Sequence, residues 1–187
     1  MLSNLKTLYI YFPVHFFISM TIDLLIVCFG ILCAVRRYKR KKFTKMQAVA
    51  CVVLFTSVAA ILLATVLGRR FNKYTSLQVN LQVVEAYKAA FLQQKGHRRA
   101  EILLNAGMFL PVGMSLFYLR IKDSKILVPM IFCFGLSLSI ECCQLLLKSG
   151  HFELVDIVNN TLGGLCGSCI TCVVEFMRRT ICLKDSN

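Results

Sequence analysis

Glu141 is the one charged residue in a run of 22, 126–147, that is long enough to cross a bilayer. A carboxylate at that depth is costly to keep. It marks a functional site or a partner for another buried polar group. Ser137, Glu141, Gln144 and Lys148 follow in steps of four, three and four, a single polar stripe on one helix face. The next apolar run opens with Asp156, Asn159 and Asn160, and an earlier one opens with Glu101 and Asn105. The last two are i,i+4 and share a face. Two chemistries fit carboxylates set beside amides. Glu141 and Asp156 suit an acid–base pair. The whole set, Glu101, Asn105, Glu141, Gln144, Asp156, Asn159 and Asn160, suits recognition of a sugar, peptide or phosphate–metal headgroup.

Most of these residues also have a structural explanation. Asp156 before an apolar run can simply start a helix, its carboxylate on free N–H groups. Asn105 and Asn160 can be interhelical glue worth about 1 kcal/mol each. Glu141 is the hardest to explain in that way. Asp23 is a second deep carboxylate, with no buried Lys or Arg to pair with, and Ser19, Thr56 and Ser57 are its candidate hydroxyl partners. His151, in a loop, reads as incidental.

The elements that must position these groups are apolar helices. Hydrophobic residues make up 57% of the chain and mean hydropathy is +0.68. They come in blocks: 8–35, 46–67, 102–119, 126–147 and 157–177 contain no Lys or Arg. Each is long enough for a membrane helix. The expected architecture is all-α, a polytopic membrane bundle of about five helices forming one domain over 1–187. The aromatics Tyr9, Tyr11, Phe12, Phe16 and Phe17 with Pro13 suggest an interfacial start, so the first span begins nearer Ile18. Leu77, Leu81, Val84, Phe91 and Leu92 recur at helical spacing. They predict an amphipathic helix in the 68–100 loop, lying in the headgroup region or across the bundle mouth. Pro111 frees a carbonyl within the third span. Gly113, and Gly163, Gly164 and Gly167 on the fifth span, let helices approach closely.

The 36–45 loop holds seven basic residues, and 120–125 and 178–187 hold three each. These segments read as cytoplasmic, with the N-terminus outside and the C-terminus inside. Glu101, Asn105, Glu141, Asp156 and the neighbouring amides then meet in the outer leaflet. Glu141 lies about 9 Å below the end of its helix.

The net charge of +13 does not point to nucleic acid, because the basic residues flank apolar spans instead of lining a soluble face. The 36–42 run can attract anionic headgroups. The first block is too long for a secretory signal and has no small-residue cleavage site. Nine of ten cysteines lie in the apolar blocks, which excludes a disulfide framework. Cys166, Cys169 and Cys172 read as a helix-packing face. There is no H-E-x-x-H, G-x-S-x-G or P-loop, and neither metal nor cofactor is expected.

Three stretches together carry a resemblance: Asn105-x-x-x-Phe109-x-Pro111-x-Gly113, Ser137-x-x-x-Glu141-x-x-Gln144, and Asp156-x-x-x-Asn160-Thr161-x-Gly163-x-x-x-Gly167. In order and spacing they resemble the VanZ-like family of bacterial membrane proteins, over roughly 101–167. Many relatives carry an Arg after the Gln, in a G-R-x-F-D-like loop. Here Lys148-Ser149-Gly150-His151-Phe152 takes its place, followed by Glu153 instead of Asp. The resemblance implies low-level resistance to glycopeptides, teicoplanin in particular, without remodelling of peptidoglycan precursor termini. The leading expectation is a multi-pass protein of the bacterial cytoplasmic membrane that binds a lipid or lipid-linked cell-wall precursor in an outer-leaflet polar pocket. The alternative is a membrane-embedded enzyme modifying such a precursor through Glu141 and Asp156. A scaffold or homo-oligomer would instead use the glycine face of the fifth helix.

Overall fold

A computed structural model describes residues 2–69, 71, 73–93, 95–119 and 126–184, with backbone alone at 2–14, 16 and 182–184. The 120–125 turn, Pro13 and the aromatic side chains of Tyr9, Tyr11, Phe12 and Phe16 lie outside the described residues. Six helices follow in order: α1 Leu2–Lys39, α2 Lys45–Leu62, α3 Val83–Tyr87, α4 Gly96–Leu119, α5 Leu127–Leu146 and α6 Leu154–Lys184. α2 continues into a π-helical turn, Leu63–Leu67, and α3 into another, Lys88–Leu92. Five segments are long and apolar enough to cross a membrane, the first beginning at Phe17. The all-α membrane bundle expected from the apolar blocks is the fold.

The helix ends have local causes. The basic run ends α1, and Thr44 restarts the chain through a capping box with Gln47. The π turn after α2 exposes carbonyls that neighbouring helices satisfy. Ser19 Oγ of α1 donates to Leu67 O at 2.7 Å, and Gln144 Nε2 of α5 donates to Thr65 O at 3.0 Å. Such side-chain partners are what an irregular turn needs at membrane depth. Ser19 is therefore not a partner of Asp23. Ser57 also bonds elsewhere, to Val53 O, and Asp23 Oδ1 is buried with no hydrogen-bond partner.

α4 is the central helix. It packs most extensively on α6, then on α2, while α1 packs on α2 at one edge. The core gathers Leu54, Ile61, Val66, Phe109, Val112, Leu116, Cys133 and Ile140. The α4–α6 seam is backbone on backbone. A Cβ on Gly113 would strike the Gly164 carbonyl, one on Gly163 that of Ala106, and one on Gly167 that of Leu110. Ser168 Oγ closes the seam at 3.1 Å from Gly113 O. Pro111 faces the other way, in a groove with Met46, Val49 and Val53 of α2.

Two expectations need correction. Cys166, Cys169 and Cys172 are exposed on α6, so they are not a packing face within the chain. The glycines, with no side chain to separate the helices, hold that face instead. The amphipathic helix is short. Leu77 and Leu81 lie outside it in extended chain, because residues 79–80 form a parallel two-residue bridge with 152–153. Within the helix Ala86 and Ala90 are the buried face, while Val84, Phe91 and Leu92 are exposed. Exposed Leu24, Leu25 and Phe29 on α1, and Val173 and Phe176 on α6, continue an apolar surface. It is far larger than a water-facing monomer carries, and it suits lipid.

Candidate functional site

The polar groups gather at one end of the bundle, the mouth, where the 68–95 segment crosses the α5–α6 turn. α5 ends at Leu146, and Lys148 then takes a left-handed conformation with φ 49°. Its carbonyl accepts the N–H groups of Lys73 at 2.9 Å and Tyr74 at 3.2 Å. Phe152 N donates to Gln78 O, and the Tyr74 ring lies 4.5 Å from that of His151. The crossing segment is thus tied to the turn by backbone bonds.

The α5 stripe is buried, with Ser137 0%, Glu141 2% and Gln144 4% exposed, and each member meets a different element. Ser137 Oγ accepts Asn160 Nδ2 of α6 at 2.7 Å. Glu141 Oε2 accepts the backbone N–H of Glu153 at 2.8 Å. Gln144 holds the π turn. The carboxylate of Glu141 has Asp156 and Glu153 as repulsive neighbours and Arg69 as an attractive one. Asp156, in the first turn of α6, accepts a hydrogen bond from Asn105. Asn159 Oδ1 accepts Tyr87 Oη of α3 at 2.6 Å, and burial pushes the Tyr87 phenol above its ordinary range. Asn159 Nδ2 and Asn160 Oδ1 are buried without hydrogen-bond partners.

Above this layer lies a clamp that the sequence reading missed. Arg98, in the first turn of α4, is 2.9 Å from Glu101 and 2.8 Å from Glu153. Its second guanidinium nitrogen donates to the other Glu153 oxygen at 3.3 Å, while Glu153 Oε2, for all its closeness to the guanidinium, is buried and accepts no hydrogen bond. The i,i+3 spacing of Arg98 and Glu101 was the available signal. Nothing local announced Glu153, 55 residues away. Among the described residues neither Lys148 nor His151 forms an ion pair, so the cation for this turn comes from α4.

A cavity of about 530 Å³ opens above the clamp. Glu101 is the one predicted site residue that lines it, with Glu85, Lys95, His97, Arg98 and Glu153. Asn105, Glu141, Gln144, Asp156, Asn159 and Asn160 sit beneath, each joined to the mouth elements or to a neighbouring helix by the bonds above. No group of three His, Cys, Asp or Glu among the described residues is arranged to hold a metal ion. The arrangement can bind a polar, charged group at the mouth and sense it through Glu153, whose side chain meets Arg98 and whose N–H meets Glu141.

Fold and site define a multi-pass helical membrane protein with a polar mouth. The VanZ/LLP1 family model matches residues 48–175, most of the chain, from α2 into α6. The chain belongs to the VanZ/LLP1 family. No curated protein and no solved structure matches it.

Proposed function

We propose that this protein sits in a bacterial cytoplasmic membrane and lowers susceptibility to teicoplanin-type glycopeptides by holding a lipid or lipid-linked envelope ligand at its mouth. The observation that carries the reading is the cavity floored by the Arg98 clamp, directly over the buried carboxylates. In this reading the mouth faces outward. The basic 36–45 loop and the Arg178–Arg179 end of α6 lie at the opposite end of the helices, in keeping with a cytoplasmic position. Glu141 and Asp156 each accept a hydrogen bond from the protein and neither lines the cavity, which favours recognition over turnover.

The test is teicoplanin susceptibility of cells making equal amounts of wild type, Glu141→Gln and Glu141→Ala, with lipid mass spectrometry of the purified protein. The amide keeps an acceptor for the Glu153 N–H but removes the charge. Because Glu141 reaches the mouth through that bond, Glu141→Gln is expected to keep most of the protection and Glu141→Ala to lose it, with both proteins still inserted. A Glu141→Ala variant that protects like wild type sinks the reading. A co-purifying lipid of unchanged mass is expected, and a new covalent product would mean turnover instead.

A further inference from the structure

We infer that the mouth cavity selects a zwitterionic headgroup carrying a phosphodiester and a primary ammonium, as in an ethanolamine phospholipid. This rests on the lipid-binding reading above and narrows it.

The inference follows from counting charges that are already used. Among the described residues two permanent cations line the cavity, Lys95 and Arg98, with His97 and His151 beside them, against three carboxylates, Glu85, Glu101 and Glu153. Arg98 is shared between Glu101 and Glu153. Glu85 pairs with Lys88 at 2.9 Å, outside the lining. Lys95 has no ion-pair partner among the described residues. Glu101 has half of one guanidinium and, at 3.3 Å, a largely exposed His97. Among the described residues the cavity therefore offers one unpaired cation, Lys95 just before α4, and two carboxylates that share a single guanidinium; Glu153 is the more buried of the two, which leaves Glu101 as the one accessible to a ligand.

A purely anionic headgroup would face the surplus of carboxylates and would have to break the Arg98 clamp to gain a second cation. A headgroup with an ammonium two carbons from its phosphate satisfies both groups and leaves the clamp closed, the ammonium donating charge-assisted hydrogen bonds to Glu101. A quaternary ammonium lacks those N–H donors and is held by aromatic faces. Among the described residues no Phe, Tyr or Trp lines this cavity.

The experiment measures binding of short-chain phosphatidylethanolamine, phosphatidylcholine and phosphatidylglycerol to the purified full chain in detergent. Wild type, Glu101→Gln and Lys95→Ala are compared, each checked for thermal unfolding. Phosphatidylethanolamine is expected to bind about tenfold more tightly than either other lipid, the difference one charged hydrogen bond makes. Glu101→Gln should erase that preference without weakening phosphatidylglycerol. Lys95→Ala should weaken all three. Tightest binding by phosphatidylglycerol or phosphatidylcholine, or a preference that survives Glu101→Gln, overturns the headgroup assignment and leaves a lipid site standing. Binding of none of the three overturns the lipid-binding reading as well. Free phosphoethanolamine should compete poorly; if it competes as well as the lipid, the ligand is a soluble phosphoamine and the lipid assignment fails.

Discussion

The α4–α6 seam and the mouth hold the same two helices together by opposite means. In the seam glycines meet backbone carbonyls, with one hydroxyl bridging the helices. At the mouth the elements are joined through side chains instead: Asn105 of α4 to Asp156 of α6, Arg98 of α4 to Glu153, Tyr87 of α3 to Asn159 of α6, and Glu141 of α5 to the Glu153 N–H. Close contact needs no desolvated charge and leaves no room for a ligand. A layer built from paired polar groups leaves both space and exchangeable partners. A membrane bundle has no hydrophobic force drawing its helices together, so shape must do that in the seam. The mouth is free to be a site because the seam already sets the helix positions.

This contrast can be broken by substitution, and the seam should give the largest effect. Gly113→Ala places a methyl against the Gly164 carbonyl, a backbone atom that cannot move alone. A loss of about 3 kcal/mol is expected, read as a fall in thermal midpoint in detergent. Gly107→Ala, where a Cβ meets nothing within 4 Å, is the matched control and should change little. If the two variants melt together, the seam does not work by contact.

Arg98→Ala comes next. It leaves Glu101 and Glu153 facing each other without a cation, and the partial exposure of Arg98 moderates the cost to roughly 2 kcal/mol. Arg98→Lys should restore part of it, since a lysine keeps the charge but not the planar fork that donates to Glu101 and Glu153 from two nitrogens. Equal stability of Arg98→Ala and wild type would mean the mouth is not clamped.

Ser137→Ala tests the layer between. It removes the acceptor of Asn160 Nδ2, whose Oδ1 already lacks a partner, and should cost about 1 kcal/mol in the same melt. Ser139→Ala, on the exposed face of α5 and bonded within its own helix, should cost little.

Tyr87→Phe is the smallest effect, about 0.5–1 kcal/mol from the bond to Asn159. It carries a pH signature. The Tyr87 phenol is raised above 10.0, so its contribution is fully present below pH 10.0 and is lost as pH rises through the folded value. Wild type should lose stability in that range more steeply than Tyr87→Phe. An identical alkaline decline in both would show that Tyr87 is not buried against α6.

The stripe Ser137, Glu141 and Gln144 was readable from spacing because a helix puts steps of three and four on one face wherever it packs. The glycine face of α6 was readable for the same reason. Arg98 was not singled out. It sits among Lys95, His97 and Arg99 in a basic stretch, and only the partner that folds back onto it separates one cation from its neighbours. The short α3 was misjudged in length because Leu77 and Leu81 keep helical spacing. Their backbone is instead drawn into the bridge with 152–153.

By itself the sequence determined five apolar spans, the polar stripe of α5 and the glycine face of α6, all of which follow from composition and from 3.6-residue periodicity. Only the tertiary structure decided which partner each polar group takes. It put Glu141 on the N–H of Glu153, Asn159 on Tyr87, and Arg98 between two glutamates far apart in the chain. Helix periodicity sets the direction of a side chain, but pairing also depends on register between helices. That register is set here by glycines packed against backbone, a contact with no charge or pattern of its own to announce it.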